Sequence, residues 1–293
     1  MSNKITDVNL IHIGFHKTAS TMMQEIFFKN NENFNLLNSN NEKKDPWFYK
    51  NFININAHEF STENFIKKFD KNFFLKKNKN QNTKTLNILS DENLSGDPFS
   101  GIDSYQLMNR IFDCFENPKI LIVIRNQLDM LISLYSNFIN NGGTKSFEAW
   151  VSGPETRWGM ILKKLNYLPI IKNYHKLLSE KNVKVVCYEN LWHSNDGLVS
   201  FFKELNINLN LVNNNKIINQ GRSLFLNKIF AILNFTENKF LNKFALKYLN
   251  SKPSLSDRKF IKSFFLEQFE EIILNNKELE KLKNFDLPKK YFD

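Results

Sequence analysis

The sequence predicts an α/β fold: a central parallel sheet flanked by helices, with a phosphate-binding loop after the first strand. Three observations lead to this prediction. A short apolar strand runs into a loop that contains Gly and Lys over residues 11–21. A continuous apolar, β-branched run at 119–124 is typical of a strand buried on both faces. A similar run at 183–188 lies between two segments with helical patterns, 167–178 and 196–205.

The first predicted strand ends in a loop whose residues suit an anion. Residues 10–13 are expected to form the strand, Gly14 to allow a sharp turn, and 22–30 to form a helix from their apolar spacing. A strand, loop and helix in this order direct backbone N–H groups and the positive end of the helix dipole at one point, where an anion is expected. Lys17 adds a full positive charge. The nearby hydroxyl donors are Thr18, Ser20 and Thr21.

The spacing of this loop differs from that of nucleoside triphosphatases, in which a Gly directly precedes the Lys. Here Lys17 comes three residues after Gly14, and the residue before it is His16. The Lys-Thr-Ala-Ser-Thr sequence at 17–21 resembles the 5′-phosphosulfate loop of sulfotransferases that use 3′-phosphoadenosine-5′-phosphosulfate (PAPS). The resemblance implies a set of loop residues that bind this group: Gly14, His16, Lys17, Thr18, Ala19, Ser20 and Thr21.

A second motif follows the apolar run at 119–124. The predicted strand ends at Arg125, and Ser133 comes eight residues later on a predicted helix. In the same sulfotransferases an Arg and a Ser with this spacing hold the 3′-phosphate of PAPS, so the resemblance implies that role here. An Arg offers a planar fork for bidentate phosphate binding. The family usually has Pro where this chain has Gln127; Pro there only favours the helix start, so no chemistry is lost.

Two later segments extend the resemblance. Residues 183–191 resemble the strand that ends in a Tyr-Glu-Asp-Leu-type turn, an architectural feature of the family. Residues 219–223 resemble the late basic loop that folds over the 3′-phosphate and the adenosine, which implies binding roles for Arg222 and Ser223. The motifs follow one another in the family's order across most of residues 8–225.

A candidate general base follows another predicted strand, at 85–89. Ligands of open α/β sheets bind at the carboxyl ends of the strands, so the acids at 91–92 are expected to face the phosphate loop. Sulfuryl transfer to an alcohol needs a base near the acceptor hydroxyl. Some sulfotransferases, notably the heparan-sulfate type, use a Glu after this strand, and cytosolic ones use a His. Glu92 is therefore the first choice, Asp91 and His16 stay open as alternatives, and Asp91 or Asn93 can instead cap the next turn.

The domain prediction is a single sulfotransferase-like domain over 1–293, with a core at about 8–225 and a helical C-terminal extension at about 226–293. Residues 31–81 are interpreted as loops and helices inserted between the first two strands. The segment 140–159 has two interpretations: a mobile flap over the acceptor, or a connector whose Trp150 and Trp158 pack on the core.

Composition limits the partners. The net charge of +10 is spread along the chain without an Arg-rich stripe, so nucleic acid is not expected as a partner, although a positive field attracts anionic PAPS. No metal site is expected, and Cys114 and Cys187 are predicted to be small core residues. Neither a signal-peptide pattern nor an apolar run of about 20 residues is seen, so a cytoplasmic location is expected. The sequence leaves the oligomeric state open.

The motifs together predict a PAPS-dependent sulfotransferase that acts on a hydroxyl-bearing acceptor, with a carbohydrate or glycolipid as the family-level expectation. Lys17 and Glu92 are the predicted catalytic residues, and PAPS is the co-substrate. The alternatives are a P-loop kinase or other nucleoside-triphosphate enzyme, with Asp91 as a magnesium contact, and a catalytically inactive nucleotide-binding protein of the same fold.

Overall fold

The computed structural model describes most of the chain, and the statements below concern these residues alone. They are 4–29, 31–40, 43–44, 46–77, 85–191, 198–205, 223–235, 254–282 and 287–292. The chain forms two compact units. The first consists of Met1–Ile124 and Pro169–Asn210, and the second of Arg125–Leu168 and Leu211–Asp293. The expectation of a single domain with a helical extension stays a prediction.

The first unit contains a five-stranded, wholly parallel sheet. Its strands are β1 (Leu10–Gly14), β2 (Phe34–Leu36), β5 (Leu86–Ser90), β6 (Lys119–Ile124) and β7 (Val183–Cys187). Their order across the sheet is β2-β5-β1-β6-β7, which puts the strand before the phosphate loop at the centre. Two further strands, β3 (Ser39–Asn40) and β4 (Lys43–Lys44), form a separate antiparallel pair. The predicted fold class is therefore confirmed.

The central strands are buried because most of their residues are apolar and the few polar ones, such as His12, are hydrogen-bonded within the protein. All five residues of β1 and all but the first of β6 are buried, as expected for a parallel sheet covered on both sides. In the parallel register, His12 of β1 lies opposite Ser90 of β5, and Gly14 lies opposite Val123 of β6. The carboxyl ends of β1 and β5 therefore lie at the same edge of the sheet, with β1 extending two residues beyond the end of β5.

One strand departs from the sequence interpretation of residues 31–81. Phe34–Leu36, interpreted as part of an insertion of loops and helices, forms an edge strand that pairs in parallel with β5. Its apolar residues Phe34 and Leu36 are buried, while Asn35 donates from Nδ2 to Oδ1 of Asn87 on the neighbouring strand, at 2.8 Å. A strand of three residues in an Asn-rich segment has too short a pattern to be predicted from alternation.

The helices account for most of the remaining described residues. In chain order they are α1 Ser20–Met22, α2 Pro46–Phe48, α3 Thr62–Lys77, α4 Ser104–Cys114, α5 Gln127–Asn140, α6 Phe147–Val151, α7 Met160–Lys164, α8 Tyr167–Leu178, α9 Leu198–Glu204, α10 Leu224–Phe235, α11 Leu255–Phe264 and α12 Leu266–Glu280. Single π-helical stretches follow α1 and α2, at Met23–Phe28 and Tyr49–Ile53. Short 3₁₀ turns include Glu92–Ser95 and Lys289–Tyr291.

The second unit is helical, with α5 at its centre. Both α10 and α11 pack against α5, whose residues are buried over most of its length. Trp150 is fully buried beside Tyr135 and Phe138, as the connector interpretation of 140–159 expects, whereas Trp158 is 75% exposed. The two tryptophans therefore have different environments.

Candidate active site

The phosphate loop begins with a close contact that only glycine permits. A Cβ atom placed on Gly14 would lie 2.0 Å from Oγ of Ser20 and 3.2 Å from its Cβ. Ser20 is buried, and its Oγ has no hydrogen-bond partner among the described residues. The first residue of the helix thus folds back against the end of β1, with its hydroxyl in the space that a side chain at position 14 would take.

The sharp turn predicted at Gly14 occurs three to five residues later instead. The left-handed residues of the loop are Lys17, with φ of 67°, and Ala19, with φ of 64°. These backbone angles are uncommon outside glycine and typical of functional loops, where they cost on the order of 1–3 kcal/mol each. Glycine at 14 is required for close approach, and the chain turns through Lys17 and Ala19.

Thr18 holds the loop in this shape. Its Oγ1 donates to the carbonyl oxygen of Phe15 at 2.5 Å, and its backbone N–H donates to the same oxygen at 3.2 Å. Thr18 and Phe15 are fully buried, and the N–H of Phe15 donates to Val123 of β6 at 3.3 Å. The hydroxyl of Thr18, predicted as a phosphate donor, is therefore engaged within the loop in this structure.

The other loop residues are more accessible. His16 and Lys17 are partly exposed, Thr21 is exposed, and α1 continues without a break into the π-helical stretch that ends at Phe28. The helix predicted over 22–30 is thus confirmed, and it spans residues 20–28. The N-terminus of a helix that follows a buried parallel strand through a short loop leaves its first N–H groups without intrahelical partners, which is the arrangement that binds phosphate.

A buried polar network that sequence reasoning missed connects the loop helix to the end of β5. Ser90 receives hydrogen bonds from Nε2 of Gln24, at 2.8 Å to its carbonyl oxygen and 3.0 Å to its Oγ. Its Oγ lies 2.7 Å from Nδ1 of His12, in a hydrogen bond whose donor depends on the tautomer of the imidazole. The amide of Asn38 donates to the Ser90 carbonyl oxygen and accepts from its N–H, both at 3.0 Å. The four side chains are separated by up to 78 residues, so no local pattern reveals them.

Burial keeps the imidazole of this network neutral. His12 has 0% exposure, and burial lowers its pKa from 6.5 to about 3. The cause is desolvation, which disfavours the charged imidazolium in an apolar surrounding. Because His12 is buried within β1 and its imidazole is uncharged at neutral pH, we assign it a structural role and no role in proton transfer.

The candidate bases lie directly after β5. Asp91 is buried, and its Oδ1 accepts from N and Nδ2 of Asn93, at 2.9 and 2.8 Å, so it caps the 3₁₀ turn at Glu92–Ser95. Glu92 is the first residue of that turn and is partly exposed. The turn packs against β1, at the end of the strand from which the phosphate loop starts. The capping role considered for Asp91 is therefore observed, and Glu92 is the more accessible of the two acids.

In the second unit, the predicted 3′-phosphate residues flank the start of α5. Arg125 is partly exposed, and its carbonyl oxygen accepts from the Tyr167 hydroxyl at 2.8 Å. Asn126 caps α5, with Oδ1 accepting from the N–H of Asp129 at 3.1 Å. Ser133 lies in α5 and is 8% exposed. The spacing of Arg125 and Ser133 thus corresponds to a strand end and the second turn of the following helix.

The late basic loop is described only at its last residue. Ser223 is buried, and its Oγ accepts from the N–H of Leu226 at 3.3 Å at the start of α10. Arg222 and the preceding residues of the loop lie outside the described residues. The observed contact of Ser223 is that of a helix cap.

Other predicted features concern metals, membranes and cysteines. The described part of the chain holds no group of three or more His, Cys, Asp or Glu side chains that could bind a metal ion. Within the same residues, no helix combines the length and apolarity needed to cross a membrane. Cys114 and Cys187 are buried, as predicted, and neither is part of a disulfide; burial raises the pKa of Cys114 to about 12.

The parallel sheet, the glycine that contacts a helix serine and the Lys-containing loop define an α/β protein with an anion-binding loop after its first strand. Residues 7–200 match the family model described as the sulfotransferase domain, so the chain belongs to that family. It is thus a member of the PAPS-dependent sulfotransferases, and the family predicted from the motifs is confirmed. No curated protein sequence matches the chain.

Two solved sulfotransferase structures are similar to this chain. A sulfotransferase from Alicyclobacillus acidocaldarius is similar with a TM-score of 0.50 and 15% identity, and the match covers 87% of this chain and 100% of that one. Mouse sulfotransferase SULT7A1, solved in complex with PAP, matches with a TM-score of 0.40 and 14% identity over 97% of this chain and 87% of its own. The first likeness supports the sulfotransferase fold.

Proposed function

We propose that this enzyme transfers the sulfuryl group of PAPS to a hydroxyl group of a carbohydrate or glycolipid. In this reaction the acceptor oxygen forms a bond to sulfur while the bond from sulfur to the 5′-phosphate oxygen breaks. The acceptor loses its proton, and the nucleotide leaves as adenosine 3′,5′-bisphosphate. The protein must therefore bind two phosphates, stabilise charge on the leaving one and accept a proton.

The loop of the first unit is proposed to bind the 5′-phosphosulfate. Lys17 neutralises charge on the departing phosphate, which is the charge that grows in the transition state. Ser20 and Thr21 donate from their hydroxyls, and Gly14, His16 and Ala19 contribute through the backbone of the loop. The Ser20 hydroxyl suits this role because it is buried and has no hydrogen-bond partner among the described residues. Thr18 contributes by fixing the loop through Phe15.

The start of α5 is proposed to bind the 3′-phosphate. Arg125 supplies a bidentate, charge-assisted contact, and Ser133 supplies a hydroxyl from the second turn of the helix. Arg222 and Ser223 complete this set in the proposal. Two observations support this assignment. Ser133 follows Arg125 by eight residues, and the hydrogen bond from the Tyr167 hydroxyl fixes the carbonyl oxygen of Arg125.

Glu92 is proposed as the general base. It lies at the carboxyl end of β5, beside the strand that leads into the phosphate loop, and it is partly exposed. Asp91 is less suited because its carboxylate is buried and already accepts two hydrogen bonds from Asn93. His16 remains the alternative within the loop.

The observation that carries this proposal is the contact of Gly14 with Ser20 in a strand–loop–helix of a sulfotransferase-family chain. Binding to the folded state raises the melting temperature by mass action. We expect adenosine 3′,5′-bisphosphate to raise the melting temperature without magnesium, and PAPS to be consumed when a hydroxyl acceptor is present. Stabilisation by ATP only in the presence of magnesium would instead indicate a kinase.

The acceptor class is tested separately from the nucleotide. The purified enzyme is supplied with sulfur-labelled PAPS and either oligosaccharides, glycolipid in detergent, or simple phenols. Label on the saccharide or glycolipid is the expected result. Label on phenols alone would place the acceptor in another class, and binding of PAPS with no transfer to any hydroxyl compound would indicate an inactive binding protein.

A further inference from the structure

The C-terminal segments of the second unit converge on the first turn of α5. Nδ2 of Asn126, the cap of this helix, donates to the carbonyl oxygen of Lys290 at 2.7 Å. Nε2 of Gln127 donates to Oδ1 of Asn276 on α12 at 2.9 Å, and Nδ2 of Asn276 donates to the carbonyl oxygen of Tyr291 at 2.9 Å. Gln127, which takes the place of the Pro usual in the family, thus links the start of α5 to α12 through its side chain.

The same turn carries a carboxylate with two cationic partners. Oδ1 of Asp129 lies 2.7 Å from Nη2 of Arg258 on α11, and Oδ2 lies 3.2 Å from Nζ of Lys290. The side chain of Asp129 is 10% exposed, so its charge is poorly screened by water. Arg258 and Lys290 lie 129 or more positions beyond Asp129 in the sequence, so this cluster exists only in the folded chain.

An uncompensated carboxylate in this turn would oppose phosphate binding. Asp129 precedes Ser133 by four residues on α5, which is about one helical turn, and it follows Arg125 by four residues across the helix cap Asn126. Arg258 and Lys290 change the charge of the turn from −1 for Asp129 alone to +1 for the cluster of three.

We propose that Arg258 and Lys290 are positioning residues that make the start of α5 competent to bind a 3′-phosphate, by neutralising Asp129 and by fixing the helix cap. Both act through Asp129, and Lys290 acts also through its carbonyl oxygen on Asn126; neither is assigned a contact with the nucleotide. The inference rests on the proposed role of Arg125 and Ser133. It gives the C-terminal helices a part in nucleotide specificity.

The test compares two nucleotides that differ in the 3′-phosphate, adenosine 3′,5′-bisphosphate and adenosine 5′-phosphate. Lys290→Met removes one positive charge and should weaken binding of the bisphosphate on the order of 3- to 30-fold, the range for one partly screened charge. Binding of the 5′-phosphate should be nearly unchanged. Lys290→Arg is the conservative control and should retain the affinity of the parent protein.

Charge restoration separates this role from a structural one. Asp129→Asn together with Lys290→Met returns the cluster to +1 and should recover most of the lost bisphosphate affinity. A merely structural role predicts that the double variant is no better than Lys290→Met, and that both nucleotides lose affinity together; either result overturns the inference. Melting temperatures of all variants verify that they fold.

The two levels of the proposal fail differently. If the parent protein binds both nucleotides equally, the 3′-phosphate assignment of Arg125 and Ser133 is wrong. If the parent prefers the bisphosphate and Lys290→Met preserves that preference in full, the proposed function stands and the positioning role of Lys290 is wrong.

Discussion

Replacement of Gly14 by Ala should disable the phosphate loop through one defined overlap. The new Cβ would lie 2.0 Å from Oγ of Ser20, where ordinary contacts begin at 3.4 Å, so the hydroxyl has to move by about 1.4 Å. Rotation about the Ser20 side chain can provide this movement. The remaining separation of 3.2 Å between the new Cβ and the Cβ of Ser20 then requires an adjustment of a few tenths of an ångström.

Two consequences follow from this geometry. Overpacking in a buried site costs about 1–3 kcal/mol of unfolding free energy, and the low end applies because one rotation removes the worst overlap. The function should suffer more, since the displaced hydroxyl is a proposed ligand of the phosphosulfate and a misplacement of about 1 Å can cost on the order of 10²-fold in rate. Gly14→Ala should therefore resemble Ser20→Ala in turnover while being slightly less stable.

A double-mutant cycle tests this reasoning. Unfolding free energies from urea titration, the affinity for adenosine 3′,5′-bisphosphate from calorimetry, and turnover of PAPS are measured for the parent, Gly14→Ala, Ser20→Ala and the double variant. Because the two sites are in contact, their effects should not add, and the double variant should be no less stable than Gly14→Ala. Additive losses, or a Gly14→Ala protein with the affinity and turnover of the parent, would refute the role assigned to the contact.

The remaining predictions concern the base, the 3′-phosphate and the buried histidine. Glu92→Gln should lower turnover on the order of 10²–10⁴-fold, as for loss of a general base, with nucleotide affinity retained; parallel assays of Asp91→Asn and His16→Gln identify the base if Glu92→Gln stays active. Arg125→Ala should weaken bisphosphate binding by about 1.5–3 kcal/mol, the range for a charge-assisted hydrogen bond, and leave adenosine 5′-phosphate nearly unaffected, as measured by calorimetry. Because burial lowers the pKa of His12 to about 3, its contribution to stability is present above pH 6.5 and is lost as the pH falls, by about 2 kcal/mol between pH 7 and 5. His12→Asn should flatten this part of the stability profile in urea titrations, and an unchanged slope would mean that His12 titrates normally in the folded protein.

Much of the sheet was predictable because its central strands are short, mostly apolar runs, of which the one at 119–124 is the most continuous. The strand at 119–124 has the predicted bounds, since Lys119 and Arg125 delimit the run. The loop was recognisable from local spacing, but its geometry was not: the need for Gly14 depends on where Ser20 folds back, and the left-handed conformation of Lys17 has no local sequence signal.

The side-chain networks that were missed depend on residues distant in sequence. The network around Ser90 joins three other segments of the chain, and its members are common polar residues without a distinctive spacing. Gln127 was expected only to replace a helix-starting Pro, yet it bonds to Asn276, 149 positions away. Such pairs become visible only when the fold brings the segments together.

The long separations at the start of α5 also bear on how the enzyme is made. The partners of its first turn lie 149 to 164 residues downstream, at Asn276 and Lys290. At about 5–20 residues per second, a ribosome needs roughly 10–30 s to synthesise that stretch after α5 itself. During this time Asp129 and the helix cap lack these partners on the nascent chain. The second unit can therefore acquire its complete hydrogen-bonding pattern only late in translation, well after the strands β1, β5 and β6 have been synthesised.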